Sequence, residues 1–286
     1  MGAIKWLRLV LVILLTALVP AILGYLLVGI QGMIVMLFLV LIADWLIYWY
    51  GDRLLMRWYR VRLVTESDYP YLYAVLRKLS SSAGIPLPKL ALAPVGTPNL
   101  FSTGKGSGSA TIVLTYGLLR VLDPDEIEGV LAHEVAHILN GDTLIQTVVS
   151  VITGFVLSVA YALGRLFSFV SRKEKGDDPN SGFLVRILAP IAGGLLYIGL
   201  SPSREYLADE HGARISGKPL ALASALLKLD KAISFRPMKG GNLATSGLFI
   251  VNPFRGSLAE MVSTHPPTDE RAERLLKIAE EMGVYT

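Results

Sequence analysis

Cysteine is absent from this chain of 286 residues, and histidine occurs only four times. No disulfide and no thiolate-bound metal is available, so any transition-metal site must be built from His, Asp or Glu. Charge is scarce too. Asp, Glu, Lys and Arg make up 17% of the residues against 52% hydrophobic ones, and the mean hydropathy is +0.52. An ordinary soluble domain carries roughly a quarter charged residues. Basic residues are not interleaved with aromatics and there is no zinc knuckle, so nucleic acid is not an expected partner. The net charge of +4 is modest and mostly juxtamembrane, which suits anionic lipid headgroups. No internal repeat or low-complexity tract is present.

Apolar length is what the chain has in abundance. Residues 9–30 and 143–164 carry no charge, residues 33–50 are interrupted only by Asp44, and residues 183–202 only by Arg186. Runs of about 20 apolar residues match the hydrocarbon thickness of a bilayer. Four membrane spans in two hairpins are therefore expected. The first run is too long for the apolar region of a signal peptide, and no small-residue cleavage site follows it. Lys5 and Arg8 precede the first span, the connection at 29–33 is uncharged, and Arg53, Arg57, Arg60 and Arg62 follow the second. The positive-inside rule then puts both termini and everything after residue 52, apart from the second hairpin, in the cytoplasm. Arg172, Lys173 and Lys175 at the tip of the second hairpin fit this poorly, so spans three and four are either true membrane helices or shallow, protein-packed ones. Asp44 is either interfacial or a buried polar contact, and an intramembrane charge is by default a functional candidate.

Four segments follow: an N-terminal hairpin (1–52), a globular part (53–142), a second hairpin (143–202) and a helical C-terminal part (203–286). In the globular part a helix is expected over 67–82, with Tyr71, Val75 and Leu79 on one face. Short strands are expected over 89–93 and 110–115. The GKGSGS stretch fails the spacing of a phosphate loop, because Asn99 stands where its first glycine should be and Gly106 follows Lys105. It reads as a hairpin turn. Helices are expected over 203–216, 220–234 and 267–282, with a loop over 235–256.

The chemistry concentrates in LAHEVAHILNGD, residues 131–142. Asp123, Pro124 and Glu126 form a capping-box start for the helix that carries it, and Gly141 is a natural stop. Ile127, Leu131, Val135 and Ile138 form its apolar stripe. His133 and His137, four residues apart, share a face turned away from that stripe. His133-Glu134-Val135-Ala136-His137 is the HExxH pattern, in which two histidines bind zinc and the glutamate is a general base. A catalytic zinc needs a third ligand and an open position. Asn140 and Thr143 occupy the places where a metzincin has glycine and histidine, which excludes that class. His211, His265 and a downstream glutamate remain as third-ligand candidates. Glu205 and Asp209 in SPSREYLADE lie four apart on one helical face, directly after an apolar span, and Asp209 can orient a ligand histidine.

HEVAHILNGD, SREYLAD, LFIVNP (248–253) and STHPPTDERAERL together resemble, in order and over essentially the whole chain, the HtpX family of membrane zinc metalloproteases. These are relatives of the CAAX prenyl endopeptidases. The resemblance implies a mainly α membrane protein, with four transmembrane helices and a cytoplasmic α+β zincin-type metalloprotease domain. It implies one Zn2+ per subunit held by His133, His137 and Glu205, with Glu134 as catalytic base. Its implied activity is endopeptidase cleavage of misfolded or damaged membrane proteins at the cytoplasmic face of the cell membrane. TPNLFSTG is similar to the family's PNAFATG segment, which makes Asn99 a substrate-backbone contact or a turn residue. His265 becomes the electrophile that stabilises the oxyanion, or a residue positioning the turn before Pro266. The stretch from residue 110 to 119 offers a β-edge for an extended substrate. His211 is read as a surface residue and not a ligand. Two rivals remain. A prenyl-protein processing protease would be longer, with more spans. A membrane holdase or scaffold with structural zinc would want four protein ligands, where three are evident.

Overall fold

Two apolar helices open the chain, α1 (Gly2–Val28) and α2 (Ile30–Trp58). The computed structural model describes residues 2–170, 201–239, 241–256 and 265–284, together with 194 and 197. Both helices are long and apolar enough to cross a membrane, and large side chains such as Leu26, Leu27, Phe38 and Trp45 stand exposed on them. Asp44 is buried between them and accepts a hydrogen bond from the Thr16 hydroxyl at 3.4 Å, so it is a polar contact across the hairpin.

The globular part is built round a sheet of order β1-β2-β4-β3. Its strands are β1 (Arg62–Leu63), β2 (Lys89–Ala93), β3 (Leu100–Thr103) and β4 (Thr111–Thr115). β2 runs parallel to β4, while β1 and β3 are antiparallel to their neighbours. The GKGSGS turn is a hairpin connection, as expected, but it joins β4 to β3, a strand that the pattern did not suggest. β4 is therefore interior, paired on both sides, and the β-edge expected over 110–119 does not exist. The edges are β1 and β3, and β3 is short, with its outer side partly taken by Phe249. Side chains alternate across the sheet. Leu90, Leu92, Leu100, Ile112 and Leu114 face one core with α3 (Pro70–Ala83). Ala91, Ala93, Phe101 and Val113 face a second core with Leu55, Tyr59 and Phe249.

The inward face of α3 is Leu72, Val75, Leu76 and Leu79, while Tyr71 is 47% exposed. A four-residue step drifts by about 40°, so Tyr71 cannot share a face with Leu79; the i, i+3, i+4, i+7 set wins. After the short α4 (Leu118–Val121) come α5 (Pro124–Asn140) and α6 (Thr143–Val170), which meet at 93°. The first half of α6 is enclosed by protein: Ile145, Val148, Val149 and Ile152 pack with Leu9 and Val12 of α1. The fourth expected span, 183–202, and the hairpin tip lie almost wholly outside the described residues. Three helices then follow, α7 (Pro202–Ser216), α8 (Pro219–Phe235) and α9 (Thr268–Glu281). The expected loop between α8 and α9 contains a 3-10 turn at Leu243–Leu248.

Candidate metal centre and active site

α5 starts where its sequence says it should. The Asp123 amide donates to Glu126 Oε2 at 2.9 Å, Pro124 takes the first turn, and Lys228 bridges both carboxylates. The helix stops at Gly141, whose φ of 70° lies in the left-handed region. Its surroundings differ from the expectation. The stripe of Ile127, Leu131, Val135 and Ile138 is in the core, but the histidine face is buried as well, with His133 at 0% and His137 at 3% exposure. α7 covers that face, and Gly212 is what lets it approach. A Cβ there would lie 2.9 Å from both Cα and N of His133. Gly212→Val should therefore force the two helices apart, costing about 1–3 kcal/mol. Thermal melting should show that loss and a zinc titration should show weakened uptake; a variant with unchanged affinity would separate the close approach from the site.

The close approach delivers Glu205 from the first turn of α7. Nε2 of His133 and Nε2 of His137 are 3.1 Å apart, and they lie 3.7 and 3.5 Å from the Glu205 oxygens. Among the described residues this is the one group of His, Asp and Glu that converges as a metal site would. The fit is quantitative. Ligands about 2.05 Å from a tetrahedral zinc stand about 3.3 Å from one another. The hydrogen-bonding pattern agrees. His137 Nδ1 lies 3.0 Å from Asp142 Oδ2. His133 Nδ1 lies 2.9 Å from Asp209 Oδ1, though off the ideal N–H direction. With both Nδ1 atoms facing carboxylates, both neutral imidazoles would present their Nε2 lone pairs to one point, as metal ligands do.

Glu134, 1% exposed, shares the helix with the two histidines. Burial pushes its carboxyl up, against the opposing influence of His137, His133 and the Ser102 hydroxyl. Burial disfavours charge on His137 too, but Asp142 and Glu205 overcome it and hold the metal-free imidazole well above its usual range. His265 joins from the start of α9: its Nδ1 lies 3.5 Å from Glu205 Oε2 and its Nε2 3.1 Å from the Ser246 carbonyl.

Residues 66–279 match peptidase family M48. The chain belongs to that family. It is 48% identical to the Protease HtpX homolog of Thermococcus kodakarensis, with all of both chains covered. It is 39% identical to that of Methanocaldococcus jannaschii, over 87% of this chain and 89% of the relative. The crystal structure of Ste24p from S. mikatae superposes on 96% of this chain and 62% of its own, at 20% identity and a TM-score of 0.49. The chain is thus an HtpX-type metalloprotease with apolar helices suited to a membrane.

Not every expected residue of this M48 peptidase stands in the centre. Asn99 is fully buried and both ends of its amide are used inside the protein: Nδ2 donates to the Val251 carbonyl at 2.7 Å and Oδ1 accepts from the Leu100 amide. It is not presented to a ligand here; it ties β3 to the segment after the 3-10 turn. His211 is half-buried, its Nδ1 is 3.0 Å from Asn140 Oδ1, and it stays outside the ligand group, as expected. Three residues escaped the sequence reading. Arg271, 1% exposed, grips Asp209 through Nε and Nη2 at 2.7 Å each and donates from Nη1 to the Ile250 carbonyl. Asp142 does for His137 what Asp209 does for His133, and Arg204 pairs with Asp142. Asp142 had a signal, lying five residues after His137 at the end of the motif itself. The two arginines stand inside quoted motifs, Arg204 in SREYLAD and Arg271 in STHPPTDERAERL, but a buried guanidinium cannot be told from a surface one by spacing.

Proposed function

We propose that this M48 peptidase is a zinc-dependent membrane endopeptidase that cleaves misfolded or damaged membrane proteins on the cytoplasmic side. In this reading it is a multi-pass protein of the cell membrane, with four spans and with both termini and the active site cytoplasmic. Residues 1–52 and 143–202 form the hairpins, and 53–142 and 203–286 assemble the protease domain. One observation carries it: three convergent ligands with Glu134 on the same helix as two of them, and no fourth ligand in the group among the described residues. That is the arrangement of a catalytic zinc with an open position, and it counts against a scaffold with structural zinc. The nitrogen-and-oxygen donor set suits zinc, and the absence of cysteine leaves no competing thiolate site.

Zinc bound here would supply Lewis acidity and make water at the open position acidic. Glu134 accepts the proton of the attacking water and passes it to the leaving amine. Asp142 and Asp209 keep His137 and His133 in the tautomer that presents Nε2. His265 faces the centre through Nδ1, and its Nε2 proton is taken by the Ser246 carbonyl. Its Nδ1 is the ring atom turned toward the place where the oxyanion would form. The substrate binds as an extended strand at β3. Leu100 turns its carbonyl away from β4 to accept from Ile250, so Ser102, two residues on and beside Glu134, turns its backbone the same way.

The test is zinc content and cleavage of an unfolded membrane substrate in detergent. Glu205→Gln should lower zinc occupancy at least tenfold and abolish cleavage, since a neutral amide replaces one of three ligands. Unchanged occupancy would move the third-ligand role elsewhere, and a wild type that holds zinc but cleaves nothing would favour the scaffold.

A further inference from the structure

Asp142 stands at one end of residues 143–201 and Arg204 just beyond the other. Asp142 directly precedes α6, and its carbonyl accepts the Gln146 amide at 2.9 Å. From that position an aspartate side chain ordinarily caps the helix by accepting from its first amides. Here both carboxylate oxygens are turned elsewhere. Oδ2 meets His137 Nδ1 at 3.0 Å, and Oδ1 accepts from the Arg204 guanidinium. Asp142 is 2% exposed, and Arg204 is only slightly more so. One buried carboxylate therefore joins the second histidine of α5, the start of α6 and the first turn of α7, one residue before Glu205.

We propose that the Asp142–Arg204 ion pair is a clasp between the start of α6 and the first turn of α7, and that its closure fixes the orientation and tautomer of His137. Both are positioning residues, and the proposal rests on the zinc reading above. A histidine can offer Nε2 to a metal only while Nδ1 keeps its proton, and a carboxylate at Nδ1 enforces that. A buried carboxylate is held in one rotamer when its second oxygen is gripped by a charged donor, which Arg204 supplies. The other histidine is served differently. Asp209 and Arg271 come from α7 and α9, so that support does not touch the start of α6. Among the described residues, Asp142 is the carboxylate that links a ligand histidine to the start of α6. By linkage, whatever separates the start of α6 from α7 weakens the metal, and the metal holds the two together.

The experiment uses the full chain in detergent, stripped of metal, with zinc titrated against a chromogenic chelator. Neither Asp142 side-chain oxygen caps α6, and asparagine is nearly isosteric, so Asp142→Asn removes the charge while sparing the helix. It should weaken zinc about 10–100-fold. Arg204→Gln should weaken zinc in the same direction by a smaller factor, Arg204→Lys should restore most of that loss, and Asp142→Asn/Arg204→Gln should be no worse than Asp142→Asn alone. Arg214→Gln, on an exposed side of the same helix, should leave affinity unchanged. Unchanged affinity in Arg204→Gln, or losses that simply add in the double variant, would overturn the clasp while leaving the zinc site standing. A wild type that takes up no zinc would overturn the zinc reading itself. Should Asp142→Asn fail to fold, the comparison of Arg204→Lys with Arg204→Gln decides alone.

Discussion

Glu134→Gln should keep its zinc and lose the reaction. The substitution is nearly isosteric, so the helix packing that brings His133, His137 and Glu205 within 4.8 Å of one another survives it. What disappears is an acceptor for the proton of the attacking water and a donor for the departing amine. A positioned general base contributes about 100- to 10,000-fold, and here one group serves two transfers, so a loss at the upper end is expected. Burial already pushes the Glu134 carboxyl above its ordinary range. A base poised closer to neutrality is better matched to shuttling a proton than a fully exposed glutamate. The measurement is zinc stoichiometry beside single-turnover cleavage of the same preparation. Full zinc with a wild-type rate would end the assignment of Glu134 as base. Lost zinc would mean that Glu134 also helps to build the site, and that its carboxylate does more than shuttle a proton.

The centre was legible in the sequence to an unusual degree because its ligands obey short-range rules. His133 and His137 are four residues apart on a helix with a capping box at one end and a left-handed glycine at the other. Those signals need no tertiary knowledge. Glu205 and Asp209 were legible only as a pair with the right step, and bringing them to α5 depends on Gly212, whose role appears only when two backbones approach. The sheet was half legible. β2 and β4 read as apolar runs, but β3 is four residues long and begins with an asparagine–leucine step after a turn, too short for a period to show. That gap led to the wrong free edge. The same holds for Tyr71: the drift of a helical face is plain from geometry, yet which of two overlapping faces turns inward was settled by the core it meets.

Arg271 is where the second large effect is expected; it lies inside a quoted motif, but no sequence pattern gives its burial or its partner. Burial alone would raise the Asp209 carboxyl, but the Arg271 guanidinium reverses this and holds it below the ordinary carboxylate range. Arg271→Leu would leave that carboxylate buried with His133 as its remaining partner, and would strand the Ile250 carbonyl as well. Breaking a buried pair from one side costs about 3–5 kcal/mol, because the surviving charge is uncompensated. The sign with pH follows from the same shift. A carboxyl depressed in the folded state contributes stability that is full above its unfolded value and is lost as pH falls through the folded one. Without Arg271 burial dominates, the Asp209 carboxyl moves up instead, and acid then relieves the variant while it destabilises the wild type. Thermal melting of metal-free protein should thus show the gap between the two narrowing from neutral pH towards the carboxylate range. Arg271→Leu/Asp209→Leu, with no stranded charge, should melt above Arg271→Leu while still binding zinc more weakly than the wild type, since His133 has lost its orienting carboxylate. If the double variant melts below the single one, the guanidinium is there for packing, and its charge is incidental.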